Sequence, residues 1–112
     1  MRTLLYLGII LPALAGCVSE RQYSLPEFER FVDGLALPGK SIADAEAVLQ
    51  KQGFVCQKVS ESETRCDKSV ADLVCRQNQS IRLTVENAVV DSVHIPRIIR
   101  ADGVQELPSA CL

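Results

Sequence analysis

Five cysteines and one histidine are the residues of this 112-residue chain best suited to attack a substrate, bind a metal or cross-link. The cysteines stand at 17, 56, 66, 75 and 111, and the histidine at 94. Zinc sites draw on Cys and His at short, recurring spacings. No C-x-x-C pair occurs, and His94 has no cysteine at ligand spacing, so the pattern implies no metal. The same lack removes a thioredoxin-like redox pair. As a general base, His94 would need a nucleophile or carboxylate within hydrogen-bond reach. Asp91 and Ser92 are only its neighbours along one strand, so a solvent-facing histidine is expected and no catalytic residue is assigned. Nucleophile-elbow, phosphate-loop and zinc-helix motifs are missing. Glu61-Ser62-Glu63 is an acidic loop with two carboxylates, well short of the roughly six to eight oxygens that calcium takes. No cofactor is implied.

Cys17 has a different setting. Arg2 precedes an apolar stretch from Leu4 to Leu14, followed by the small pair Ala15-Gly16. The stretch covers roughly 16 Å as a helix, against about 30 Å for a bilayer core, and Pro12 interrupts it. That is the layout of a secretory signal rather than a membrane span. With the cysteine directly behind it, Leu14-Ala15-Gly16-Cys17 resembles the lipobox of bacterial lipoproteins. The resemblance implies a signal peptide over 1–16 and a mature chain beginning at Cys17. It also implies diacylglycerol on the Cys17 sulfur and a fatty acyl group such as palmitate on its amino group. Two or three acyl chains hold a protein stably on a membrane, at about 0.8 kcal/mol per buried methylene. Val18 follows, where an Asp would resemble the inner-membrane retention signal of enteric bacteria; the resemblance thus points to the outer membrane and a domain facing the periplasm.

Removing the signal takes Arg2 with it and moves the formal charge from −2 to −3. No basic block occurs, so nucleic acid is not an expected partner. The remaining aromatics are Tyr23, Phe28, Phe31 and Phe54, and Trp is absent. So aliphatic and small a core is marginal on burial alone. With Cys17 taken by lipid, the four other cysteines of an exported domain read as two disulfides. Three pairings are open in principle. Cys56 and Cys66 flank a polar loop between two strand-like segments, so Cys56–Cys66 with Cys75–Cys111 is the expected set.

Residues 17–24 are polar and aperiodic and read as a lipidated tether; 25–112 form one small domain. Ser24-Leu25-Pro26-Glu27 is a helix start with a serine cap, early proline and capping glutamate. Leu25, Phe28, Phe31 and Val32 share its face, and Gly34 is the expected stop. Ser41 to Gln52 is a second helix, with Ile42, Ala45, Val48 and Leu49 as its core stripe and Gly53 as its left-handed end. From Gly53 the period changes to two. Phe54-Val55-Cys56 and Thr64-Arg65-Cys66 read as strands around a loop at Val59–Glu63. Ile81, Leu83 and Val85 alternate with polar residues. After a turn at Glu86-Asn87-Ala88, the next strand is expected to bury Val89, Val93 and Ile95, giving a hairpin with one buried face. Leu73-Val74-Cys75 reads as strand or as a helical turn. Pro96 closes the strand, and the tail is extended and tied down by Cys111. Ile98-Ile99, rimmed by Arg97 and Arg100, reads as part of the core, with an exposed docking patch as the alternative.

The order implies an α+β domain, one or two N-terminal helices on an antiparallel sheet of three to four strands. The layout over about 36–95 resembles small outer-membrane lipoproteins of the barrel-assembly type, although the Gly-Met-Thr start and aromatic strands of that family are absent. Two functions fit: a non-catalytic envelope module, binding or structural, with an unidentified envelope protein partner, or a small periplasmic enzyme or enzyme inhibitor with a loop-built active surface. A pocket converging two or more titratable side chains would favour the second, and a plain surface with one apolar patch the first.

Overall fold

The computed structural model describes residues 21–112 and forms an α+β domain; Cys17 and the signal segment lie outside the described residues. Helix α1 spans Leu25–Gly34 and α2 spans Ile42–Lys51. Strands follow at Val55–Ser60 (β1), Glu63–Ala71 (β2), Cys75–Glu86 (β3), Val89–His94 (β4), Ile98–Ile99 (β5), Gln105–Glu106 (β6) and Ser109–Cys111 (β7). The main sheet is antiparallel in the order β1-β2-β3-β4, and β7 makes it five-stranded by pairing with β3. β5 and β6 pair separately.

Caps set the helices. Ser24 Oγ accepts from Glu27 N–H at 3.3 Å while Glu27 Oε1 accepts from Ser24 N–H at 2.9 Å, closing a capping box. Ser41 Oγ accepts from Asp44 N–H at 3.1 Å. Gly34 is the last residue of α1, as expected. The chain reverses two residues later at Ala36, whose φ of 51° lies in the left-handed region, and Leu37 is then fully buried. Gly53, with φ of 93°, does end the second helix as expected.

The twelve-residue β3 is the spine. One flank pairs with β2 from Arg76 to Thr84. The other is shared, with β4 beside Arg82–Glu86 and β7 beside Cys75–Gln77. Inward from it point Gln77, Gln79, Ile81, Leu83 and Val85, all buried. Ile81 and Leu83 meet Phe28 and Val32 of α1, Ala45 and Leu49 of α2, and Phe54, Leu37, Cys66, Val90, Ile95 and Leu107 in one core. Burying such side chains contributes roughly 1.5–3 kcal/mol each.

Three expectations need correction. The loop expected at Val59–Glu63 shrinks to Glu61-Ser62, because β1 runs to Ser60 and β2 starts at Glu63. In β4 and just past its end the inward residues are Val90, Val93 and Ile95, while Val89 faces out at 39% exposure. The register slips between Thr84 and Val85, so one extra residue, Asp91, bulges between inward Val90 and Val93. Ile98 and Ile99 are not core: they are 43% and 68% exposed. Adjacent residues of a strand face opposite sides, and among the described residues this two-residue strand, paired only within its own hairpin, has neither side buried. Residues 68–78, open in the sequence, are strand except for the turn at Asp72–Val74.

Candidate interaction surface

Both disulfides join residues directly opposite each other in the sheet, Cys56 with Cys66 across β1–β2 and Cys75 with Cys111 across β3–β7. All four cysteines are thereby taken out of nucleophilic or metal chemistry. Among the described residues, no cluster of three or more His, Cys, Asp or Glu side chains is arranged to hold a metal ion.

Between β4 and β7 the chain leaves the main sheet as the β5–β6 hairpin. Gly103, at φ 89°, makes its tip turn, and Asp102 Oδ1 accepts from Val104 N–H at 3.1 Å. Ile98, Ile99 and Val104 are exposed along it. The arginines that rim the isoleucines are engaged. Arg97 pairs with Glu29 of α1 at 3.2 Å and donates to Gln105 Oε1 at 3.3 Å. Arg100 pairs with Asp102 at 2.7 Å and with Glu106 at 3.6 Å. The Val104 amide, with Arg100 beside it, holds the Asp102 carboxyl below its usual range, and Asp102 in turn raises Arg100. The cations thus brace the hairpin, and Ile98, Ile99 and Val104 are its exposed apolar side chains.

A polar feature missed in the sequence lies on the inner face. Gln77 Oε1 accepts from Tyr23 N–H at 2.9 Å, and its Nε2 donates to Tyr23 C=O at 2.8 Å. Gln79 Nε2 donates to Arg21 C=O at 3.1 Å and to Gln77 Oε1 at 3.0 Å. Gln22 Nε2 reaches Val70 O at 3.2 Å and Cys75 O at 3.0 Å. Tyr23 also packs on Phe31, ring centroids 5.4 Å apart, and on Phe28 at 5.8 Å. Residues 21–24, expected to belong to the tether, are therefore docked on the sheet. The signal was parity: Gln77 and Gln79 continue the inward positions of Ile81, Leu83 and Val85.

His94 is exposed, as expected, beside Arg82 in register. It lines an open groove together with Glu29, Asp33 and Arg97, contributed by α1 and the start of the hairpin. Glu61 and Glu63 do not converge on a common point: Glu61 pairs with Lys58 at 2.6 Å and Glu63 with Arg82 at 3.4 Å. Lys58 holds the Glu61 carboxyl below its ordinary range. Asn78 and Ser80 lie on the opposite face from Gln79, where Ser80 Oγ donates to Asp67 Oδ1 at 2.5 Å.

Compared with protein-family models, with curated proteins and with solved structures, the chain finds no match in any of the three. Among the described residues, no helix is long and apolar enough to cross a membrane.

Proposed function

We propose that this protein is a lipid-anchored module of the bacterial envelope, attached through Cys17 to the outer membrane and facing the periplasm, with a binding role and no catalysis. The lipobox-like Leu14-Ala15-Gly16-Cys17 supports the anchor. The observation that carries the binding role is the exposed Ile98, Ile99 and Val104 on a hairpin whose arginines are neutralised in cis. A braced apolar surface of this kind gains by being covered, and the partner that fits it is an envelope protein with an apolar face. The test is recovery of bound protein from gently solubilised membranes, comparing the parent with an Ile98→Ser/Ile99→Ser variant. A partner captured by the parent and lost from the variant supports the reading. Equal capture by both contradicts it.

A second reading draws on the groove that brings His94, Glu29, Asp33 and Arg97 together. Several titratable groups along one groove are the raw material of acid–base catalysis. Against it, Glu29 and Arg97 are already paired with each other at 3.2 Å. Loss of a cellular phenotype on His94→Ala, in protein that is folded and lipidated, would put the enzyme reading ahead.

A further inference from the structure

We propose that the turn between β2 and β3, with Leu73, Val74 and Leu112, is the face the domain lays against the lipid surface. The inference rests on the reading of Cys17 as the lipidated residue. Leu73 is 94% exposed, Val74 54% and Leu112 fully exposed, and the three cluster at one end of the sheet. They are held out rather than loose. Asp72 Oδ1 accepts from Val74 N–H at 2.8 Å and Cys75 N–H at 2.6 Å. Leu112 N–H donates to Val74 O at 2.8 Å, and Cys75–Cys111 ties the two strands beneath.

The chain's own path brings the bilayer to this end. Gln22 grips Val70 O and Cys75 O, the carbonyls on either side of the turn. Only five residue steps separate Cys17 from Gln22, at most about 18 Å of chain. Acyl chains on Cys17 therefore place lipid within that distance of the Gln22 backbone, one glutamine side chain from the base of the turn. The patch also has lipid-facing chemistry. Its exposed side chains Leu73, Val74 and Leu112 are aliphatic, and buried aliphatic surface is what holds a peripheral segment on a bilayer. The Asp72 carboxylate is turned back onto the turn's own amides. Arg76, exposed at the margin, carries the charge suited to headgroup phosphates.

The chain contains no tryptophan, so one introduced indole reports a single place. Lipidated full-length protein carrying Leu73→Trp is reconstituted into phosphatidylethanolamine–phosphatidylglycerol vesicles with and without brominated acyl chains. The control is Val59→Trp, exposed beside the Glu61-Ser62 turn, at the other end of β2 and about 27 Å along that strand. Flotation and the intact mass are read on the same samples. The expected result is a blue-shifted emission from position 73 quenched at least twofold by the brominated lipid, with position 59 unchanged. Protein that floats and carries the lipid mass, yet shows no quenching at 73, overturns the docking face alone. Protein that neither floats nor carries lipid overturns the anchor and the docking face with it. A blue shift that grows with protein concentration and ignores vesicles assigns the turn to a second copy of the chain and overturns the proposal.

Discussion

The side chain of Gln77 holds the backbone of Tyr23 by both its amide hydrogen and its carbonyl, at 2.9 and 2.8 Å, across a separation of 54 residues. Gln77 is 7% exposed and Gln79, which donates to it, 1%. Buried amides are costly unless satisfied, and three of the bonds that satisfy them here require residues 21–23 to stay docked. Residues 21–24 thus belong to the fold rather than to the proposed tether, which brings the domain closer to its proposed anchor than composition suggests.

Gln77→Ala is expected to leave the Tyr23 amide and carbonyl without these partners and to lower stability by about 2 kcal/mol. Urea unfolding measures the loss. Amide exchange at Tyr23 should rise in parallel, while exchange at Ile81 in the same strand follows only the global change.

Removing the disulfides one at a time ranks them. The Cys75–Cys111 bridge closes a separation of 36 residues and Cys56–Cys66 one of 10. On the chain-entropy model their contributions are about 4 and 3 kcal/mol. A Cys75→Ser/Cys111→Ser variant should therefore unfold at lower urea than Cys56→Ser/Cys66→Ser. The reverse order would mean that native packing around Cys66, rather than loop closure, governs the difference.

The β3–β4 turn offers a stabilising change. Asn87 and Ala88 both have left-handed φ, 54° and 61°, the arrangement of a two-residue I′ hairpin turn. An L-residue with a Cβ is strained there by roughly 1–2 kcal/mol. Ala88→Gly should raise the melting temperature, with a gain of about 1 kcal/mol less the extra freedom of glycine in the unfolded chain.

Acid should weaken the domain through two caps. The Ser24 amide and hydroxyl, with Arg21 adding to them, hold Glu27 below its ordinary 4.5. The amides of Cys75 and Val74 hold Asp72 below 3.8. A depressed folded-state pKa means that the stabilisation is complete above the unfolded value and is lost as pH falls through the folded one. Stability should therefore hold down to about pH 5 and decline below pH 4.5. Glu27→Gln and Asp72→Asn should each flatten part of that decline in urea titrations at pH 3 to 6.

Much of the fold was legible locally. Ser24 with Glu27 and Ser41 with Asp44 announce their helices, and Ile81, Leu83 and Val85 announce a half-buried strand. What was not legible depends on residues far apart in sequence. Gln77 and Gln79 have inward parity, but their partners lie more than 50 residues upstream. The bulge at Asp91 leaves Val90 and Val93 three apart, a spacing that a strict period of two hides. Ile98-Ile99 looked like core because apolar pairs usually are. Only the separate pairing of β5 with β6 reveals that, among the described residues, they lie outside the core and are exposed.

His94→Ala separates the two functional readings. In the module reading it leaves folding, lipidation and cellular phenotype within error of the parent, since His94 is an exposed residue on the sheet's β4 strand. Growth of the variant strain under envelope stress, with protein level checked in the same cells, measures this.

The anchor underlies the whole account, and the intact mass of the protein purified from host membranes tests it most directly. The account predicts a chain beginning at Cys17, heavier than its sequence by a diacylglyceryl group and an amide-linked acyl chain, and an unprocessed, unacylated precursor for Cys17→Ser. A wild-type chain that carries no lipid, alongside a Cys17→Ser variant cleaved normally, would contradict it.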